Sequence, residues 1–422
     1  MRNLKRIRLL ILLAVAALVF APLATTSAQE TSEQVIVPPG QTIKIGWAGD
    51  RSGPLIRPGE GTMYGAQAAV DLRNAAGGIL GFQVELLRQD DGCDPAQAPT
   101  VAQQYASNPE VVGVVGHLCS GATNAAAAVY EQFRIVMVSP SSTAFSVTAQ
   151  DRTVVNRVAV NDNLQGTALA RFMVDELGLA TLAVLDDGGA YGQGLADKVA
   201  EEFAALGGEV TFRGNLDPAQ DNYRPLLTNL LANPPEALFF GGYEVPGAAL
   251  TTQKNEVGLT DMIFIGADGV QTTLYIEQAG ADGEGQYASS VVTPLDDPRL
   301  DEFRAAWEAA AGGARYDDYG PYQPQGHDAA AMILDGIAAV ATLNEDGALV
   351  IDREALIAAV RATAGFDGLT GTLTCDENGD CGAGQIAIYQ VQNGQWVTVA
   401  TYTSDELMGL EMEATPEAGS GG

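Results

Sequence analysis

The stretch Val111-Val112-Gly113-Val114-Val115 is almost wholly apolar and β-branched, with no polar alternation. A strand with one wet face alternates. One that does not must be covered on both faces, as in a parallel sheet flanked by helices. The next residues, Gly116-His117-Leu118-Cys119-Ser120-Gly121-Ala122-Thr123, are small, polar and hydroxyl-rich, and they run into the helix-like Ala125–Phe133. A strand that passes into a helix through such a loop gathers the Ser120 hydroxyl and free backbone N–H groups around one point. That arrangement suits an anion, and a ligand carboxylate is the obvious candidate.

The rest of the chain repeats this rhythm. Strands at Thr42–Trp47, Gln83–Arg88, Val111–Val115 and Ile135–Val138 alternate with helices at Thr62–Ala75, Ala96–Ser107 and Ala122–Phe133. Asp94-Pro95 opens the second helix, as an N-cap followed by proline at the first helical position. After Asn156 the pattern restarts, with strands at Leu182–Leu185, Glu209–Phe212, Ala237–Phe240 and Met262–Ile265 between further helices. Strands alternating with helices at this spacing make α/β units around a parallel sheet, and two series make two Rossmann-like lobes. Helices at Leu300–Ala311, Asp328–Thr342 and Arg353–Ala364 precede a β-rich end. The expected division is 42–161 plus about 293–370 for the first lobe, and 162–292 plus about 371–404 for the second. Crossings are expected near Asn161, Val292 and Gly371, forming a hinge.

The ends read differently. Arg2, Lys5, Arg6 and Arg8 precede the apolar run Leu9–Phe20 and the small-residue site Thr26-Ser27-Ala28, which is the pattern of a signal peptide over 1–28. No Cys follows the apolar run, so the cysteine-based lipid anchor is absent. A soluble chain exported to the periplasm or cell exterior is expected, with a disordered leader over 29–41 and an acidic disordered tail over 405–422. The chain carries 22 Lys+Arg against 53 Asp+Glu, a net charge of -31. Removing the basic leader makes the mature chain more acidic still, which argues against nucleic acid and anionic membranes as partners. Four cysteines in an exported chain fit two disulfides, most economically the local pairs Cys93/Cys119 and Cys375/Cys381.

In open α/β sheets ligands sit beyond the carboxyl ends of the strands. The loops there carry Ser, Thr, Tyr and Asp268, with almost no candidate nucleophile–base pair. Hydroxyls in the first lobe and Tyr and Asp in the second suit the two ends of a zwitterion. No catalytic residue is assigned, and no cofactor or metal is expected. His117 reads as a satisfied structural histidine. Cys375-Asp376-Glu377-Asn378-Gly379-Asp380-Cys381 resembles a calcium loop but lacks the distal Glu, so a disulfide-closed turn is the better reading. Gly192-Gln193-Gly194 lacks the third glycine of a dinucleotide fingerprint, Asp197 standing there.

Taken with Ile43-Lys44-Ile45-Gly46, Gly53-Pro54-Leu55, Asp91-Gly92-Cys93-Asp94-Pro95, Tyr191-Gly192-Gln193-Gly194-Leu195-Ala196 and Gly241-Gly242-Tyr243, the Gly116–Ser120 loop resembles the leucine/isoleucine/valine-binding proteins. The similarity runs from about Thr42 to Thr401. It implies the type I periplasmic-binding-protein fold and the role of an extracytoplasmic receptor of an ABC importer, monomeric, with permease subunits as partners. The implied ligand is an amino acid, with branched-chain and other aliphatic ones leading. A ligand-sensing receptor or regulator on the same fold, or a binder of a small amide, is the alternative. The resemblance places the carboxylate contacts on Ser120, Ser142 and Thr143, the aromatic contacts on Tyr191 and Tyr243, and the ammonium contact on Asp268. It also sets Asp162 between the lobes. Leucine-type members carry Glu where Asp268 stands and Tyr about where Pro58 stands, so the ammonium contact is shortened and one aromatic wall is missing.

Overall fold

The computed structural model describes residues 34–292 and 297–407; the expected signal peptide lies outside them. Two sheets organise the chain. The first has five parallel strands in the order Val84–Asp90, Ile43–Gly49, Val111–Val115, Val136–Ser139, Val155–Arg157. The second has seven, in the order Gln395–Thr403, Gln385–Gln392, Tyr287–Val291, Ile263–Gly266, Ala237–Gly241, Thr181–Asp186, Glu209–Asn215. Its last two strands in sequence run antiparallel at one edge, and the other five are parallel.

All five residues of Val111–Val115 are buried at the centre of the first sheet, as the missing alternation requires. Gly113 has a packing reason. A Cβ there would stand 3.1 Å from the Ile333 side chain, so the glycine lets the helix Gln323–Val340 approach the sheet closely. The second sheet is covered on both faces, by a cluster including Leu182, Val184, Leu195 and Val199 and by another including Leu185, Phe240, Leu250 and Tyr275. Where the lobes join, Ala159, Val291 and Tyr322 pack together.

Several expectations are corrected. Gln34–Val37, inside the expected disordered leader, is a strand paired antiparallel with Leu349–Asp352, and it buries Val35 and Val37. Its two-residue alternation is real, but the partner that makes it a strand lies some three hundred residues away. The helix expected from Thr62 begins at Ile56, because Pro58 falls in a first turn whose N–H groups need no helical partner. The third crossing comes near Gln385, not Gly371: Leu373 and Cys381 belong to the core of the first lobe. Leu407, placed in the acidic tail, is buried against the second lobe. Among the described residues no helix is long and apolar enough to cross a membrane.

Both cysteine pairs form disulfides, Cys93–Cys119 and Cys375–Cys381. In the short loop the Asp376 carboxylate accepts the N–H groups of Asn378, Gly379 and Asp380, while Asp380 accepts from Arg157, Thr148 and Asn161. These acids are engaged by the protein's own donors, as in a structural turn.

Candidate functional site

The loops at the carboxyl ends of both sheets meet around a narrow cleft, the place where open α/β sheets hold small ligands. The first lobe contributes Leu55, Pro58, Leu118, Ser120, Ser141, Pro321 and Tyr322. The second contributes Tyr191, Tyr243, Glu244, Asp268 and Thr272.

The first-lobe wall is a rigid loop pair. Ser120 opens the helix Ser120–Phe133, and its Oγ accepts a hydrogen bond from the Ala144 N–H at 3.1 Å. Its hydroxyl proton therefore remains available to a ligand, beside the unpaired N–H groups of the helix's first turn. Arg157, fully buried, donates from Nη1 to the carbonyls of Ser142, Thr143 and Ala144 and from Nη2 to Thr148, and it is ion-paired with Asp380. One guanidinium thus fixes the backbone of the loop facing Ser120. The Cys93–Cys119 disulfide anchors the residue before Ser120. Ser142, expected on the carboxylate side, stands one layer behind the cleft lining, its hydroxyl sharing a hydrogen bond with Thr123 and donating toward the carbonyls of His117 and Leu118. Ser141 stands at the surface instead, donating to the Leu118 carbonyl. Thr143 lies behind the lining, buried, with its hydroxyl facing the Asp162 carboxyl.

The second-lobe wall centres on Asp268. Its Oδ1 accepts from the Tyr191 hydroxyl at 2.6 Å and from Gln165 Nε2 at 2.7 Å, and its Oδ2 accepts from the Tyr322 hydroxyl at 2.7 Å. Tyr191 also accepts the Gly269 N–H, and its ring lies 5.3 Å from that of Tyr243. Three donors place a carboxylate at the cleft wall and still leave one lone pair, on Oδ2, for a cationic group. Tyr322 reaches it from a first-lobe segment, so this hydrogen bond crosses between lobes. Asp162, nearby at the hinge, is buried beside the Thr143 hydroxyl; burial, and then the charge of Asp268, push its carboxyl well above the ordinary range, against that hydroxyl and Arg157. Burial likewise raises Tyr191, Tyr243 and Tyr322 well above the usual phenol value, which keeps their hydroxyls as donors.

Four of the six expected ligand residues therefore line the cleft: Ser120, Tyr191, Tyr243 and Asp268. Sequence reasoning missed Tyr322, Gln165 and Glu244. The first sits in Gly320-Pro321-Tyr322-Gln323-Pro324, an aromatic held between prolines, a usable signal that reads only as a connection while the next helix is expected to start at Asp328. Glu244 is 2% exposed, and its Oε2 has no partner. Burial pushes its carboxyl up to about 7, against its own backbone N–H and Arg57, with Asp50 adding to the rise. His117 is fully buried, Nδ1 donating to Asp91 and Nε2 meeting the Tyr130 hydroxyl, which is a structural role.

Residues 42–395 match the sequence profile of the family described as periplasmic binding protein. The chain belongs to that family. The periplasmic binding protein is 32% identical over 349 residues to the leucine-, isoleucine-, valine-, threonine- and alanine-binding protein of Pseudomonas aeruginosa, covering 83% of this chain and 90% of that one. It is 28% identical over 353 residues to the Leu/Ile/Val-binding protein of Escherichia coli, with the same coverages. Among solved structures, the leucine-binding protein of Thermotoga maritima superposes with a TM-score of 0.77 at 26% identity, over 86% of this chain and 99% of the other. The two-lobed type I periplasmic-binding-protein fold expected from the sequence is the fold of this chain.

Proposed function

We propose that this periplasmic binding protein is the extracytoplasmic receptor of an ABC importer, that it captures an α-amino acid between closing lobes, and that it presents the amino acid to permease subunits. The observation that carries this reading is the opposition of Ser120, with its free hydroxyl proton and helix N–H groups, to Asp268, held by Tyr191, Gln165 and Tyr322. The first side suits a carboxylate and the second an ammonium. Leu55, Pro58, Leu118 and Pro321 give the side chain an apolar seat, so branched-chain and other aliphatic skeletons lead. The names of the Pseudomonas and Escherichia relatives support the same class. No reaction is assigned. The protein acts as a monomer, exported through residues 1–28.

Closure is a hinge motion about the segments joining the two sheets. The Tyr322–Asp268 bond, and the 3.5 Å ion pair between Arg57 and Glu277, cross the cleft and belong to the closed arrangement. Asp268→Asn keeps the shape and removes the charge facing the ammonium. We expect affinity to fall by about 1.5–3 kcal/mol, on the order of ten- to a hundredfold. Calorimetric titration of the folded variant, its melting checked in parallel, decides the point. Unchanged affinity removes Asp268 from the ammonium contact.

A further inference from the structure

We propose that Glu244 reads the far end of the ligand's side chain, and that the preferred amino acid carries a hydrogen-bond donor there, not a bare hydrocarbon. The inference rests on the amino-acid reading above and refines it: an aliphatic skeleton seated on Leu55, Pro58 and Leu118, tipped by a hydroxyl, amide or ammonium group.

Glu244 begins the helix Glu244–Glu256 and lines the cleft beside Tyr243. It is buried, yet Oε2 meets no donor. A buried polar atom left unpaired is costly, and native proteins leave few of them. No Lys or Arg lines the cleft to neutralise it. Arg57, the cation that acts on it from the first lobe, is 40% exposed at its side chain and paired with Glu277. The Asp50 carboxylate, which also faces this region, is taken by the N–H groups of Ser52, Gly53 and Leu55.

Position separates Glu244 from the zwitterion contacts. It also borders a tight crevice with Arg57, Leu274 and Gly320, to which Asp268, Tyr191 and Tyr322 do not contribute. Asp268 lies on the hinge side, bonded to Gln165 and Tyr322. With the ammonium at Asp268 and the carboxylate at Ser120, the lining left to the ligand's side chain is Leu55, Pro58, Leu118 and Pro321 together with Glu244. A donor on that side chain satisfies Oε2, whereas a methyl group of equal size leaves it buried and unpaired. Sites built to hydrogen-bond a ligand group discriminate strongly against the isostere lacking it.

The test is calorimetric titration of the full mature protein with near-isosteric pairs, threonine against valine and asparagine against leucine, with lysine against norleucine as the cationic pair. Wild type, Glu244→Gln and Glu244→Leu are compared, each first shown to melt cooperatively. We expect wild type to favour the donor-bearing member of at least one pair tenfold or more. Glu244→Leu is expected to abolish or invert that preference while holding or improving affinity for the hydrocarbon member. Glu244→Gln is expected to keep a hydroxyl or amide preference and lose a cationic one. Tighter or equal binding of every hydrocarbon member by wild type overturns the proposal and leaves the amino-acid reading intact. So does a uniform loss across all ligands in both variants, the mark of a merely structural role. Binding of no amino acid at all overturns both readings.

Discussion

Arg157→Met is expected to lower unfolding stability by about 3 kcal/mol, the low end of the cost of breaking a buried ion pair, because Asp380 keeps 22% of its side chain exposed. Methionine fills much of the space but supplies no donor. Three loop carbonyls, those of Ser142, Thr143 and Ala144, then lose their common partner, and Asp380 loses the guanidinium. Burial alone would raise the Asp380 carboxyl. The bonds from Arg157, Asn161 and Thr148 outweigh it and hold the group below its ordinary value, so they favour the charged form. Removing one of them sets a half-buried negative charge against a loop whose backbone is no longer tied. The Ala144 N–H that orders Ser120 belongs to that loop, so affinity falls with stability. Urea unfolding of the ligand-free proteins measures the first effect. A variant within 1 kcal/mol of wild type would show that the loop is held by its own turn geometry and not by the arginine.

Loss of the Cys93–Cys119 disulfide is the second large effect. The bond closes a sequence separation of 26 residues, for which the chain-entropy treatment gives about 3.5 kcal/mol. The Cys93→Ala, Cys119→Ala pair is therefore expected to melt at lower temperature and to bind more weakly, since Cys119 precedes Ser120. The Cys375–Cys381 bond spans only six residues, and its loss is expected to be felt mainly where Asp380 meets Arg157. Equal loss of affinity from the two removals would contradict the view that the first bond specifically positions the carboxylate side.

Local pattern carried most of the architecture. The unbroken apolar strand at Val111–Val115, the alternation of strands with helices and the restart after Asn156 each depend on residues close in sequence, and each is present. What stayed hidden depends on residues far apart. Val35 and Val37 are a strand only because Leu349–Asp352 returns to pair with them. The hinge crossing near Gln385 is set by which core takes Leu373 and Cys381, a competition that periodicity does not report. The site divides in the same way. Ser120 and Asp268 follow from their places at strand ends, so reasoning about loops finds them. Tyr322 joins Asp268 across 54 residues and Gln165 joins it across 103, and only the folded chain brings them together. The Ser142 hydroxyl is of the same kind: Thr123, 19 residues away in sequence, shares a hydrogen bond with it behind the cleft wall.

The central claim, a cleft with a carboxylate side at Ser120 and an ammonium side at Asp268, is tested most directly by titrating the mature protein calorimetrically with a panel of L-amino acids. The tightest binder is then compared with its decarboxylated amine and its α-hydroxy acid. One-to-one binding of at least one amino acid is expected, lost or weakened by orders of magnitude when either the carboxylate or the ammonium is removed. Binding of urea, a short amide or a nucleotide with no response to any amino acid would contradict it.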